Sequence, residues 1–161
     1  MRILVAPDKF AGTLTAVEAA EAIATGWRRQ APGDELDLVP MADGGPGFVD
    51  VLHAALGGEL LAVTVSGPFG EPVPATVLVR EDTAYVESAQ ACGVHLTGGH
   101  DGERATTRGV GELLLGALGS GAGRIVVGLG GSGTNDGGAG LLAALGATAD
   151  VDLTAGAAGL A

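Results

Sequence analysis

The chain has 161 residues, the length of one domain, and its formal net charge of -11 argues against binding to a nucleic-acid backbone, which needs clustered lysine and arginine. Its 30 glycines lack a three-residue period, which excludes collagen, and the valine- and leucine-rich runs between them exclude simple disorder. Cys92 is the only cysteine and no long uncharged apolar run occurs, so we expect a cytoplasmic protein without an internal disulfide or a membrane span.

The N-terminal part alternates between strand and helix patterns. Residues 2–6 form an apolar run without polar alternation, which predicts a strand buried on both faces of a parallel sheet. Thr15 and Glu18 have capping-box spacing at the start of a predicted helix. Residues 35–39 alternate as a second strand, and 48–56 have helical spacing. This order predicts a parallel sheet with right-handed crossovers.

The middle of the chain contains closely spaced strand patterns. Residues 60–65, 73–80 and 83–86 are strand-like, and their short connections force antiparallel pairing. A helix is then predicted to end near Gly119, and an apolar strand follows at residues 124–129.

These elements predict an α/β protein with a parallel, doubly wound (Rossmann-like) sheet and an inserted, largely antiparallel β-rich subdomain. After Leu145 the sequence has little periodicity, where such a sheet ordinarily continues with further strands. The predicted divisions are 1–58 for the first part of the α/β domain, 59–104 for the inserted subdomain, and 105–161 for a segment that is incomplete at its C-terminus.

The glycine-rich stretch that follows the last predicted strand is the centre of the predicted site. Residues 128–140 contain seven glycines and lead into a small-residue helical pattern. Such a loop exposes backbone N–H groups in front of a helix dipole, which predicts a bound anion, most often phosphate. Ser132, Thr134, Asn135 and Asp136 are residue types that contact phosphate oxygens or magnesium. An ordinary glycine-rich turn, with Asp136 as a helix N-cap, is the alternative.

Two other loops follow predicted strands and are expected at the same sheet edge, because ligands collect at the carboxyl ends of parallel strands. Lys9, the only lysine, can place its charge on a phosphate oxygen, and Asp8 can hold magnesium or accept a hydroxyl proton. A surface ion pair is the alternative for these two. Asp43 precedes Gly44 and Gly45, and it is either a site carboxylate or a turn aspartate.

Two weaker patterns remain. Thr107 and Glu112 lie near a predicted helix start, as a cap and as a first-turn carboxylate favoured by the helix dipole. Gly128, Gly130 and Gly133 match a dinucleotide fingerprint, but no acidic residue for a ribose follows at the expected distance.

Four sequence blocks occur in the order and spacing of one known family: residues 6–14 (APDKFAGTL), 40–45 (PMADGG), 106–113 (TTRGVGEL) and 130–138 (GGSGTNDGG). Together they resemble the glycerate kinase family, the bacterial class I type that phosphorylates D-glycerate from ATP with magnesium. The resemblance spans residues 1–150 and implies two α/β domains with the active site in the cleft between them. Because family members are more than twice as long, it also implies that this chain is a truncated, N-terminal portion.

The resemblance further implies the roles of individual residues. Asp8 or Asp43 would orient or deprotonate the glycerate hydroxyl, and Lys9 would neutralise charge on the transferring phosphoryl group. Asp136 is the expected ligand of Mg²⁺, which accompanies ATP. The expected substrate and phosphate contacts are Gly44, Gly45, Thr107, Gly109, Glu112, Gly130, Gly131, Ser132, Thr134, Asn135 and Asp136.

The sequence departs from the family pattern at two positions beside the expected site. Ala11 stands where many members carry lysine, and Pro46 stands where many carry glutamate, which alters the charge there and bears on glycerate specificity. A noncatalytic nucleotide- or anion-binding module, or a degenerate fragment, is the alternative to an enzyme. A truncated domain would also expose apolar surface, which predicts association into a homo-oligomer.

Overall fold

Residues 1–160 are described by a computed structural model and form two β-sheets with helices packed against them. In chain order the elements are β1 (Arg2–Val5), α1 (Ala16–Gln30), β2 (Glu35–Leu38), α2 (Phe48–Leu56), β3 (Glu59–Ser66), β4 (Pro72–Arg80), β5 (Thr83–Glu87), α3 (Ala89–Cys92), α4 (Val94–Thr97), α5 (Arg108–Gly119), β6 (Arg124–Gly128), α6 (Ala139–Ala144) and a 3-10 turn (Ala157–Leu160). Every helix among these residues is too short or too polar to reach across a membrane.

Strands pair both in parallel and antiparallel, so the predicted mixed α/β class is confirmed. β1 pairs with β2 in parallel, and the second sheet has the order β3-β4-β5-β6. In that sheet β3, β4 and β5 are antiparallel, and β6 returns parallel to β5 with Glu87 opposite Gly128. β6 therefore joins the strands of the segment predicted as 59–104. The domain boundaries themselves stay a prediction.

The prediction that the first strand is buried on both faces is wrong. Val5 is buried at 6% exposure, but Leu4 is 66% exposed. The reason is topological, because within residues 1–160 β1 has β2 as its sole strand neighbour and lies outside the larger sheet. An apolar run cannot by itself distinguish a central strand from a strand whose other neighbours are absent.

The first helix begins as its sequence predicts. The hydroxyl oxygen of Thr15 accepts a hydrogen bond from the backbone N–H of Glu18 (3.1 Å), and the Glu18 carboxylate accepts from the N–H of Thr15 (2.8 Å). This reciprocal capping box satisfies two of the N–H groups that a helix start leaves without partners. α3 and α4, with four residues each, are too short to give a helical period, and the sequence pattern misses them.

The core lies between the larger sheet and α5. Val77, Val86 and Leu113 are fully buried there, and burial of such a side chain stabilises the fold by roughly 1.5–3 kcal/mol. Two glycines let α5 approach its neighbours closely. A Cβ at Gly109 would overlap the carbonyl oxygen of Ser66, and one at Gly111 would lie 2.6 Å from the carbonyl oxygen of Leu141. This close approach fixes the N-terminus of α5 beside the end of β3 and against α6.

We expect Gly109→Ala to lower the free energy of unfolding by about 1–3 kcal/mol or more, because the added methyl group meets backbone rather than a flexible side chain. Urea denaturation followed by circular dichroism measures the change. Gly116→Ala, in the same helix, is the matched control. Its methyl group would lie 3.5 Å from Val63, an ordinary contact, so helix propensity should raise stability by about 0.5–1 kcal/mol. Equal destabilisation by both variants would contradict the packing described for α5.

Candidate functional site

Two glycine-rich loops, one after β2 and one after β6, contact each other through their backbones. A Cβ at Gly130 would lie 2.8 Å from the Cα and N atoms of Gly45, and one at Gly44 would lie 3.1 Å from the carbonyl oxygen of Leu129. A Cβ at Gly131 would lie 2.9 Å from Cδ of Pro46. The contact therefore leaves no room for side chains, and it joins two loops that belong to different sheets.

The only lysine lies between two carboxylates beside this contact. Lys9 Nζ is 3.2 Å from Asp43 Oδ1 and 3.7 Å from Asp8 Oδ1. The lysine side chain is 21% exposed, whereas those of Asp43 and Asp8 are 65% and 46% exposed. Exposed ion pairs contribute only about 0–1 kcal/mol to stability, so the stability of the fold does not account for this arrangement.

The carboxylate of Asp43 is fixed by its own loop. Its Oδ1 atom accepts hydrogen bonds from the N–H of Gly45 (2.9 Å) and from Lys9 Nζ (3.2 Å). The Gly45 N–H group and then the Lys9 ammonium hold the pKa of Asp43 below its usual value. At neutral pH this side chain is therefore an oriented, ionised carboxylate. Asp43 forms both the turn hydrogen bond with Gly45 and the ion pair with Lys9.

The glycine-rich loop after β6 has backbone donors without partners. Among residues 1–160, the N–H groups of Gly130, Gly131, Ser132 and Thr134 make no hydrogen bond. The hydroxyl oxygens of Ser132 and Thr134 lie 3.1 Å apart. Successive free N–H groups next to hydroxyls are the usual chemistry of a phosphate-binding loop.

The short helices α3 and α4 hold this loop in place. Val94 N–H donates to the carbonyl oxygen of Gly131 (2.7 Å), and Gly133 N–H donates to the carbonyl oxygen of Cys92 (2.7 Å). Cys92 is buried, and burial is the main reason that the pKa of its thiol lies above the usual value. The loop is therefore anchored through the carbonyl group of Gly131 and the N–H group of Gly133, and neither bond uses one of the four free donors.

Asp136 is surrounded by hydrogen-bond donors of the protein. It is 1% exposed, and its Oδ2 atom accepts from the N–H (2.7 Å) and hydroxyl (2.8 Å) of Thr107 and from the N–H of Gly140 (3.1 Å). Its Oδ1 atom accepts from the N–H of Gly138 (3.0 Å). These bonds occupy N–H groups at the start of α6, whereas the N–H groups of Gly130, Gly131, Ser132 and Thr134 stay free among residues 1–160. The assignment of Asp136 as a magnesium ligand stays a prediction.

The other residues of that region have mainly structural contacts. Gly138 is the N-cap of α6, not Asp136, and the backbone N–H of Asn135 donates to the carbonyl oxygen of Gly102 (3.0 Å). Thr107 is the N-cap residue of α5, as predicted, but its side chain makes no capping hydrogen bond there. Its Oγ1 atom accepts from the N–H of Leu141 (3.0 Å). Thr107 also lines a cavity of about 290 Å³ together with Gly130, Ser132, Thr134 and Asp136.

Glu112 joins α5 to the end of β3. It lies beyond the first turn of α5, so the expected first-turn position is wrong. Its carboxylate accepts from the N–H (2.6 Å) and hydroxyl (3.0 Å) of Ser66 and from Arg108 Nε (3.1 Å). Partial burial opposes its ionisation, but these donors together hold the pKa of Glu112 below the usual value. Gly109 also packs against Ser66. Glu112 and Gly109 therefore stabilise the junction of α5 and β3, and among residues 1–160 no hydrogen bond or ion pair joins Glu112 to Lys9.

A cavity of about 510 Å³ is lined by residues of α1, α2 and the loops that precede them. It is lined by Asp8 and Lys9 and also by Ala11 and Pro46, the two positions that depart from the family pattern. Several polar residues of this cavity are not predicted by the sequence, among them Asp50, Gln90 and Glu87, and Glu87 is 5% exposed at the end of β5. The carboxyl end of a strand is a signal for a ligand site in a parallel sheet, but the strands of this segment are predicted to be antiparallel.

Comparison with known proteins links these features to one family. The sequence profile described as "Glycerate kinase family" matches residues 3–160. The chain is 47% identical over 150 residues to "Glycerate kinase" of Bacillus subtilis (strain 168), covering 91% of this chain and 39% of that protein. It is 46% identical over 151 residues to "Glycerate 2-kinase" of Escherichia coli (strain K12), covering 91% of this chain and 40% of that protein.

A solved structure has the same fold. The crystal structure of a protein assigned as glycerate kinase 2 from Salmonella typhimurium LT2 matches with a TM-score of 0.73 and 40% sequence identity. The match covers 91% of this chain and 41% of that one. The chain thus spans about 40% of the length of the relatives that it matches.

We expect Asp136→Asn to lower the free energy of unfolding by about 3 kcal/mol or more, because an amide NH₂ would face donors and the buried charge-assisted bonds would be lost. Asp150→Asn, at an exposed position, should change stability by less than about 0.5 kcal/mol. Thermal and urea unfolding measure both. An Asp136→Asn variant with unchanged stability and weakened magnesium-nucleotide binding would instead identify Asp136 as a metal ligand.

Proposed function

The chain belongs to the glycerate kinase family, and on that premise we propose that it carries the phosphoryl-transfer centre of a cytoplasmic kinase that moves the γ-phosphoryl group of ATP to a hydroxyl of D-glycerate. The observation that carries this proposal is the position of Lys9, between Asp8 and Asp43 and beside two glycine loops in backbone contact. Because the chain spans about 40% of its relatives, the activity of the 161-residue chain alone is part of the proposal.

The phosphate groups would lie along the loop after β6. Gly130, Gly131, Ser132 and Thr134 offer backbone N–H groups that have no partner among residues 1–160, and two of them add hydroxyls. Fixed donors of this kind stabilise charge without reorganising during the reaction. In a chain of net charge -11, these uncharged backbone donors would attract phosphate without a cluster of basic side chains.

Lys9 and Asp43 would act on the reacting groups. Lys9 neutralises charge that develops on the transferring phosphoryl oxygens, and its 3.2 Å contact with Asp43 holds it near that position. Both hydrogen bonds to the Asp43 carboxylate reach Oδ1, and among residues 1–160 none reaches Oδ2. We assign Oδ2 to accept the glycerate hydroxyl proton and orient its oxygen towards the phosphorus atom. Phosphoryl transfer depends mainly on such positioning.

Magnesium fits the exposed carboxylate of Asp8 better than it fits Asp136. Mg²⁺ in kinases usually binds one or two carboxylates together with substrate phosphates and water, and Asp8, whose side chain is 46% exposed, offers a carboxylate oxygen beside Lys9. When bound, the ion would neutralise charge on the nucleotide phosphates. Within residues 1–160 no group of three or more metal-ligating side chains is assembled, so the phosphates would have to complete its coordination.

We propose which hydroxyl of glycerate accepts the phosphoryl group by analogy with a relative. The Escherichia coli protein is named for the 2-position of glycerate, and we extend that regiochemistry to this chain. Ala11 and Pro46 line the cavity beside Lys9, where the many relatives with lysine and glutamate would have charged groups. This difference leaves fewer charges to recognise the glycerate carboxylate, so we expect a higher KM for glycerate than in relatives that carry both charges.

We expect release of ADP from Mg-ATP that depends on D-glycerate, with 2-phosphoglycerate as the product. A coupled ADP assay measures the rate on this chain and on any longer natural form, and ³¹P NMR against both phosphoglycerate isomers identifies the product. Lys9→Met should lower kcat by about 10²–10³-fold, because it removes the one ammonium group at the phosphoryl position. Asp150→Asn, at an exposed site, is the control and should retain the full rate.

Three results would contradict parts of this proposal. A kcat for Lys9→Met equal to that of wild type would show that Lys9 takes no part in the reaction. Formation of 3-phosphoglycerate would overturn the regiochemistry alone. Binding of Mg-ATP without turnover in every form of the protein would favour the alternative, a noncatalytic nucleotide-binding module.

A further inference from the structure

We infer that Glu87 is a positioning residue, which holds the Asp43–Gly47 turn in place through the N-terminus of α2. Its carboxylate Oε2 accepts hydrogen bonds from the N–H groups of Gly47 (3.1 Å) and Val49 (3.3 Å). Glu87 belongs to β5, 38 to 40 residues away along the chain, so this is a tertiary contact and not a local cap. Its catalytic consequence rests on the proposed function, whereas the geometric claim does not.

Glu87 supplies a hydrogen-bond acceptor that the N-cap residue of α2 does not provide. The first N–H groups of a helix have no partners within the helix, and a capping side chain usually satisfies one of them. The N-cap of α2 is Gly47, with φ of 92° and no side chain to do this. Glu87 provides the acceptor from the neighbouring sheet, where the positive end of the helix dipole favours its charge. This helix start is therefore occupied by a protein carboxylate and is not a phosphate site.

The turn that Glu87 holds leads directly to the proposed reacting groups. Phe48 N–H donates to the carbonyl oxygen of Gly45 (3.1 Å), and Gly45 N–H donates to Asp43 Oδ1 (2.9 Å). Pro46, between them, is the residue against which Gly131 packs. A displacement of Gly47 would thus be transmitted both to the ion pair of Asp43 and to the contact between the glycine loops.

The buried position disfavours ionisation of Glu87. Burial is the main cause that raises the pKa of its carboxyl, the nearby charge of Asp50 adds to the rise, and the N–H donors only partly offset it. A folded-state pKa above the unfolded value means that stability declines as pH rises through that interval, because the folded state then must lose a proton that it holds more tightly. The titratable side chains that line the same cavity are Asp8, Lys9, Glu18, Asp50 and His95.

Two substitutions of Glu87, similar in size, distinguish a role as a hydrogen-bond acceptor from a role in filling space. Glu87→Gln keeps an oxygen that can accept from both N–H groups, whereas Glu87→Leu does not. We expect hydrogen-exchange protection factors, measured by NMR, to fall by about tenfold or more in Glu87→Leu at Gly45, Gly47, Phe48 and Val49, and to stay within about threefold of wild type in Glu87→Gln. Glu59→Leu, at an exposed position on β3, should leave all four unchanged.

The pattern across the turn decides the proposal. Loss of protection confined to Gly47 and Val49, with Gly45 and Phe48 unaffected, would overturn it, as would no loss at all. If Glu87→Leu does not fold, Glu87→Ala, which also removes the acceptor, replaces it in the same measurement. Protection at the four amides should again decrease together, and a decrease at Gly47 and Val49 alone would overturn the proposal.

The catalytic consequence is measured separately. In whichever form of the protein releases ADP, Glu87→Leu should lower kcat by about tenfold or more with little change in KM for Mg-ATP, and Glu87→Gln should restore most of the rate. A rate loss that Gln does not restore would contradict positioning through the hydrogen bonds. If wild type releases no ADP with D-glycerate, the proposed function fails, and the exchange result still tests the positioning role.

Discussion

The contact between two stretches of bare backbone is the constraint on which the candidate site depends. Gly44 approaches Leu129, and Gly130 approaches Gly45, so closely that a Cβ at Gly44 or Gly130 would meet main-chain atoms. A backbone atom cannot move aside as the end of a long side chain can, so this approach requires glycine. It brings the loop after β2 against the loop after β6, although their strands lie in separate sheets. The position of Asp43 relative to the free N–H donors follows from it.

Charge makes this small region chemically distinct from the rest of the molecule. The chain carries 19 acidic and 8 basic side chains, and the single lysine is at this contact. Under the proposed function, uncharged backbone donors and this one ammonium group bind phosphate in a chain whose net charge repels anions. Buried carboxylates serve a different purpose. The carboxylate oxygens of Asp136 and Glu87 accept hydrogen bonds from backbone N–H groups, and these bonds hold the loops in place.

Sequence patterns predicted the elements well because helix and strand periods are local properties. The capping box at Thr15, the antiparallel strands and the grouping of polar residues after strands needed only local residue types. The exposure of Leu4 could not be predicted in this way, because it depends on which strands neighbour β1. The same limit applies to Asp136. Its residue type permits either magnesium or N–H groups as partners, and only the three-dimensional position of Thr107 shows which are present.

The central claim is that the glycine contact displays backbone donors to a phosphate beside Lys9, and NMR titration of the ¹⁵N-labelled chain with Mg-ATP tests it most directly. Amide signals of Gly130, Gly131, Ser132 and Thr134 should shift together and saturate, and Lys9→Met should weaken the apparent affinity while the same four amides still respond. Saturating shifts that leave these amides unchanged and cluster at another surface, or an affinity that Lys9→Met does not alter, would contradict the account.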